Sequence, residues 1–214
     1  MPPKKFFTLQ ATKPPFLPCL IMYSNKADVL TDKELSILIE SCRRNDRYGQ
    51  STLYKRLYGY AFTICARYMG NNEEAEEMVQ DGFYKIFTQI QKYGGELSFY
   101  AWFKKILINT CIDRYRSNIR QQQTTDLEEN IDATGLPEAL IEADVNHLLH
   151  LVQSLSPAYR TTFCLYAIEG YGYQEIADML QINIGSVKSN LSKARQQLKQ
   201  LLLQPHKNGD YYAR

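Results

Sequence analysis

Residues 173–191 read YQEIADMLQINIGSVKSNL, and their spacing decides the fold. Ile176, Leu180, Ile182 and Val187 fall where two short helices would lock together, and Ala177 is the small residue that lets the second cross the first. That is the pattern of a helix-turn-helix. Many such motifs place glycine in the turn, where this chain has Gln181; nearby Asn183 tolerates unusual backbone angles and is expected to relieve the strain. The second helix sets Val187, Leu191, Ala194 and Leu198 on one seam. Ser186, Lys188, Ser189, Asn190, Ser192, Lys193 and Arg195 point away from it. Residues 185–207 hold five Lys or Arg and no acid. Short polar and basic side chains near the start of a helix suit phosphates and base edges in a major groove. A merely solvated basic helix is the bland alternative, and the coincidence of the crossing with the basic face counts against it.

Upstream, Ser156-Pro157 marks a cap with proline at the first helical position, and the helix carrying Phe163, Tyr166 and Ala167 ends at Gly170. Leu140, Leu148, Val152 and Leu155 keep helical register before it. Residues 121–159 contain seven acids and no Lys or Arg, and the polar part up to Pro137 predicts a linker.

The N-terminal half is also helical. Thr31 and Glu34 form a capping box ahead of the stripe Leu35, Leu38, Ile39 and Cys42. A second helix is predicted from Ser51 to Tyr68, stopped at Gly70, with Asn72 capping the third. In that third helix Ala75, Met78, Val79, Gly82, Phe83, Ile86, Phe87 and Ile90 follow helical periodicity throughout, and its first turns are acidic, as the helix dipole favours. After a loop at 93–97, Ser98 caps a fourth helix with Phe99, Trp102, Phe103, Ile106 and Thr110 on one side. Lys104, Lys105, Arg114, Arg116 and Arg120 face one acid there, Asp113. Cations interleaved with aromatics suit single-stranded nucleic acid, because bases stack on rings while cations hold the backbone. Trp102 and Phe103 fit a core better; Phe99 or Tyr100, next to the loop, is the better candidate for an exposed ring.

Two blocks together resemble bacterial extracytoplasmic-function (ECF) sigma factors. RLYGYAFTICARYMGNNEEAEEMVQDGFYKIFTQI with FYAWFKKILINTCIDRYRS is similar to their region 2, and LSPAYRTTFCLYAIEGYGYQEIADMLQINIGSVKSNLSKARQQL to their region 4. The resemblance implies an all-α chain of two small helical domains joined by a flexible acidic linker. Its expected parts are a disordered extension (1–27), region 2 (28–119), the linker (120–137), region 4 (138–203) and a tail (204–214). It implies core RNA polymerase and promoter DNA as partners, with an anti-sigma factor as a further one. Gln80, Asp81 and Phe83 would dock on polymerase; the usual motif has Glu at the position of Asp81 and a larger apolar residue at that of Gly82. The loop 94–99 with Phe99, Tyr100, Lys105, Asn109, Arg114 and Arg116 would read the −10 element, where a base is drawn from the stack. The helix-turn-helix would read the −35 element. The chain would help melt promoters without itself being an enzyme.

Other classes are weakly supported. An autonomous helix-turn-helix regulator remains the alternative function, and an interaction protein without DNA a third. No apolar run reaches the ~18 residues of a membrane span, and the prolines before residue 26 interrupt any signal-peptide core. Met22 is an alternative start. The net charge of +2 is uninformative in total. Five cysteines without a CxxC pair predict reduced thiols in a cytoplasmic protein. His147 and His150 lack further ligands, so no metal is expected, and no phosphate-binding GxxxxGK[ST] loop, cofactor or catalytic constellation is expected either.

Overall fold

The computed structural model describes residues 30–124 and 145–203, with side chains from 30–121 and 148–202. The expected extension, most of the linker, the tail and the side chain of His147 lie outside these. Every regular element among the described residues is helical.

Helix α1 (Asp32–Arg43) opens on the capping box: Thr31 Oγ1 accepts from the Glu34 amide and the Glu34 carboxylate accepts from the Thr31 amide. Asn45, in the left-handed region at φ 56°, turns the chain. Asp46 then caps α2 (Arg47–Cys65), accepting from the amides of Tyr48 and Gly49 and from the Ser41 hydroxyl. So α2 starts before Ser51, because a cap that sequence periodicity does not register lies upstream, and it stops before Tyr68. The cap of α3 (Asn72–Gln89) is Asn71, which accepts from the Glu74 amide, rather than Asn72. A 3₁₀ turn (Ile90–Lys92) and a loop lead to α4 (Phe99–Thr124), which carries helix into the stretch expected as linker.

These four helices enclose one core. Leu53, Leu57, Ala61 and Ile64 of α2 meet Met78, Val79 and Ile86 of α3 and Phe103 and Leu107 of α4, all nearly or wholly buried. Gly82 has a packing reason: a Cβ there would lie 2.3 Å from Leu107 Cδ2. Glycine's lower helix propensity, about 1 kcal/mol against alanine, is the cost of letting α4 pack so near.

The second unit comprises α5 (Val145–Gln153), α6 (Pro157–Phe163) with a π-helical turn (Cys164–Ile168), α7 (Tyr173–Leu180) and α8 (Ile184–Leu203). Gly170, at φ 80°, ends the π turn. Ile176, Ala177 and Leu180 bury against Val187, Leu191 and Ala194, as the helix-turn-helix pattern requires. The tight turn is made differently from expectation. Gln181 itself takes the left-handed conformation (φ 57°, ψ 42°), while Asn183 caps α8 by accepting from the Ser186 amide at 2.7 Å. An unbranched Gln tolerates that single strained position, of order 1 kcal/mol.

The two units pack together through the end of α2. The carbonyls that follow a helix C-terminus lack helical partners. Here Gln153 Nε2 donates to Ala66 O at 3.0 Å, Cys164 Sγ to Arg67 O at 3.2 Å and Arg160 Nη1 to Tyr68 O at 3.3 Å. Arg160 is 6% exposed and also donates to Gln153 O and Leu155 O, both at 2.8 Å. Lys104 of α4 pairs with Glu169 at 2.5 Å.

Candidate nucleic-acid interface

Helix α8 presents its polar face to solvent. Lys188, Ser189, Ser192, Lys193 and Arg195 are exposed; Ser186 and Asn190 are half-buried at the edges. With about 100° of rotation per residue, Ser189, Ser192 and Gln196 occupy the outward middle. Lys188 and Arg195 lie along one flank and Lys193 along the other. Gln196, also exposed, escapes the sequence reading because it stands beyond the first turns, where base contacts are sought. The arrangement is a neutral hydrogen-bonding strip between cations, which matches a groove floor between two phosphate backbones.

The residues expected at a −10 element are only partly gathered. Lys105 and Asn109, one turn apart, are exposed on the outer side of α4. Arg114 reaches the Glu77 carboxylate of α3 at 2.6 Å. Arg116 donates to the carbonyl of Met179 in α7 and lies 3.9 Å from Asp113. Phe99 is 2% exposed, edge-on to Tyr93 and tilted against Trp102 and Phe103, so the expectation that it is an exposed ring is wrong. Tyr100 is half-buried, its ring edge-on to Tyr60 at 5.7 Å. The ring at the helix start turns inward because Tyr93 and the α4 rings Trp102 and Phe103 offer it a hydrophobic seat. Leu97, 55% exposed in the loop that Tyr93 Oη braces through Leu97 O at 3.0 Å, is the apolar side chain the loop presents instead.

On α3, Gln80 and Asp81 are exposed, but Phe83 is 2% exposed and packs on Tyr54 at 4.6 Å and Phe103 at 5.4 Å. A docking role for the Phe83 ring is therefore corrected: it belongs to the apolar stripe that makes the helix, and the two positions exclude each other. The exposed aromatic is Tyr84, at 72%, which shares the Gln80–Asp81 side at i+4 and i+3. Its signal was an aromatic residue off the stripe.

Four described cysteines are free and buried. Burial pushes the Cys164 thiol up to about 12 and Cys42 to about 11. Neither is a ready nucleophile. Among the described residues, no cluster of His, Cys, Asp and Glu could hold a metal ion, and no helix is long and apolar enough to cross a membrane.

Comparison with known proteins gives the same division. The sigma-70 region 2 family matches residues 53–121 and the sigma-70 region 4 family residues 146–198. The RNA polymerase sigma-H factor of Pseudomonas aeruginosa is 24% identical over 186 residues, covering 81% of this chain and 96% of that protein. The ECF RNA polymerase sigma factor SigE of Mycolicibacterium smegmatis is 31% identical over 149 residues, 66% of this chain and 56% of that one. The solved sigma factor RpoE of Bartonella quintana, in complex with the anti-sigma factor NepR, matches 71% of this chain and 94% of its own at 22% identity, with a TM-score of 0.44. With both regions present in order, the chain belongs to the sigma-70 family, in its ECF group.

Proposed function

We infer that this chain directs core RNA polymerase to promoters, with α8 on the −35 duplex and the α4 face with its preceding loop on the −10 element. The observation that carries this reading is the exposed face of α8, neutral in the middle and cationic on both flanks, in the same chain as a region 2 unit that leaves Lys105, Asn109 and the loop at Leu97 open to solvent. Asn109 offers an amide donor and acceptor for the edge of an extruded base, whose unstacking costs a few kcal/mol. Polymerase would perform the chemistry; this chain supplies recognition and strand separation, in the cytoplasm.

For polymerase docking we propose Gln80, Asp81 and Tyr84, since these share the solvent side of α3. An anti-sigma factor belongs to the same proposal on family resemblance alone. The proposed parts are region 2 up to the end of α4, a linker, and region 4 from α5 through α8.

Promoter opening tests the −10 assignment. With core polymerase and a promoter fragment, permanganate reactivity of −10 thymines should be lost in Asn109→Ala while binding to the closed duplex persists. Unchanged opening in that variant and in one with Leu97→Ser would remove the α4 face from the account.

A further inference from the structure

We propose that Tyr159, Tyr166 and Tyr173 are positioning residues for DNA binding: each ring holds one flanking cation of α8 in place and leaves its charge and donors free for phosphate. The proposal rests on the −35 reading of α8 and deepens it.

The three tyrosines stand seven residues apart, on α6, the π turn and α7, and all are half-buried. Arg195 Cζ lies 5.3 Å from the Tyr166 ring centre, Lys188 Nζ 5.9 Å from that of Tyr173 and Lys193 Nζ 5.9 Å from that of Tyr159. The rings of Tyr166 and Tyr173 are stacked 5.2 Å apart with 10° between their planes. Thus Lys188 and Arg195 share one rigid two-ring platform on one flank, and Lys193 has its own ring on the other.

Among the described residues, none of these three cations is in an ion pair; the pairs involve other residues. The difference matters physically. A carboxylate would hold a cation by neutralising it and occupying its donors, and a phosphate would have to displace it. A ring attracts the same cation through its quadrupole, with no formal charge and no acceptor oxygen. Lys and Arg have much rotamer freedom to lose on fixing a phosphate. A ring that restricts them beforehand removes part of that loss while the attraction for phosphate is kept, which is preorganisation. The π turn contributes directly, since it supplies Tyr166 and is followed by the turn that stacks Tyr173 upon it.

The test uses the full-length chain and random-sequence duplex DNA, because phosphate contacts do not depend on sequence. Phenylalanine at 166 or 173 should bind as the parent does. Replacing that phenylalanine by analogues with successively more ring fluorines, which drain the quadrupole at nearly constant shape, should weaken binding stepwise, about two- to fivefold in total per ring. Tyr173→Leu should weaken the parent but add nothing in a Lys188→Ala, Arg195→Ala background. Two results overturn the proposal while sparing the reading beneath it: affinity independent of fluorination, or an equal Tyr173→Leu loss in both backgrounds, which marks a purely structural ring. If replacing Lys188, Lys193 and Arg195 together by alanine leaves affinity and its salt dependence unchanged, α8 does not hold phosphate, and the −35 reading fails with it.

Discussion

Arg160→Met should loosen the junction between the two units more than any exposed substitution. Arg160 is 6% exposed; it donates across the junction to Tyr68 O at 3.3 Å and, within its own unit, to Gln153 O and Leu155 O at 2.8 Å each, so its loss frees both the junction and the segment that presents it. Methionine keeps most of the apolar stem but supplies no donor. Three carbonyls then lose a charged partner, at about 1–3 kcal/mol for each left buried and unpaired. The sum overstates the loss. Burying the guanidinium is itself unfavourable, as its lowered pKa reflects, and that penalty disappears with the charge. Water also reaches carbonyls at a loosened edge. A net loss of ~2–4 kcal/mol is expected, in the range for breaking a buried charged contact. In urea this shifts the midpoint by about 1–2 M. A second readout separates loosening of the junction from general weakening. Cys164 is fully buried and donates to Arg67 O across the same junction, so its rate of maleimide labelling under native conditions should rise in the variant. A midpoint within the equivalent of about 0.5 kcal/mol of the parent, with Cys164 still protected, would refute the reasoning that Arg160 fastens the two units.

Further outcomes follow from the packing. Tyr84→Ala should reduce capture of core polymerase with little loss of stability, whereas Phe83→Ala should cost about 3–5 kcal/mol by emptying a core site; urea melts alongside polymerase pull-downs distinguish the two. Gly82→Leu should destabilise by about 1–3 kcal/mol, because its side chain would enter the space of Leu107, and Leu107→Ala in the same chain should recover part of the loss. Cys164 ionises only at about 12 in the folded chain against an ordinary 9.0, so the unfolded chain gives up its proton first. Stability from this group is therefore full below pH 9 and falls above it, by about 1 kcal/mol at pH 10; Cys164→Ser should remove that share of the slope in urea midpoints compared between pH 8 and pH 10.

What could be read from the sequence was local. Thr31 and Glu34 announce α1 because a capping box is complete within four residues, and Ala177 with Val187 announces the helix-turn-helix because its offsets are fixed by one crossing. Phe83 and Phe99 differ in why their burial is missed: the partners of Phe83, Tyr54 and Phe103, depend on tertiary packing, whereas Phe99 adjoins the loop and yet shares a helix side with Trp102, three residues on, so its burial is legible locally. The junction was silent for a stronger reason. Its hydrogen bonds join residues 87 to 97 positions apart, and a helix end capped from another unit leaves no periodic trace. One sign did exist: Arg160 is the first cation after the long stretch from 121 without Lys or Arg. The tyrosines under the α8 cations also repeat every seven residues, a spacing that reads as ordinary helix packing until the rings are seen beneath Lys188, Lys193 and Arg195.

The central claim, that this chain gives core RNA polymerase its promoter specificity, is tested most directly by run-off transcription from genomic fragments with purified core enzyme, with and without the chain. Discrete new start sites are expected that require both proteins and disappear when Lys188, Lys193 and Arg195 are replaced together by alanine. No initiation, together with tight binding of the chain alone to duplex DNA, would contradict it and favour an autonomous helix-turn-helix regulator.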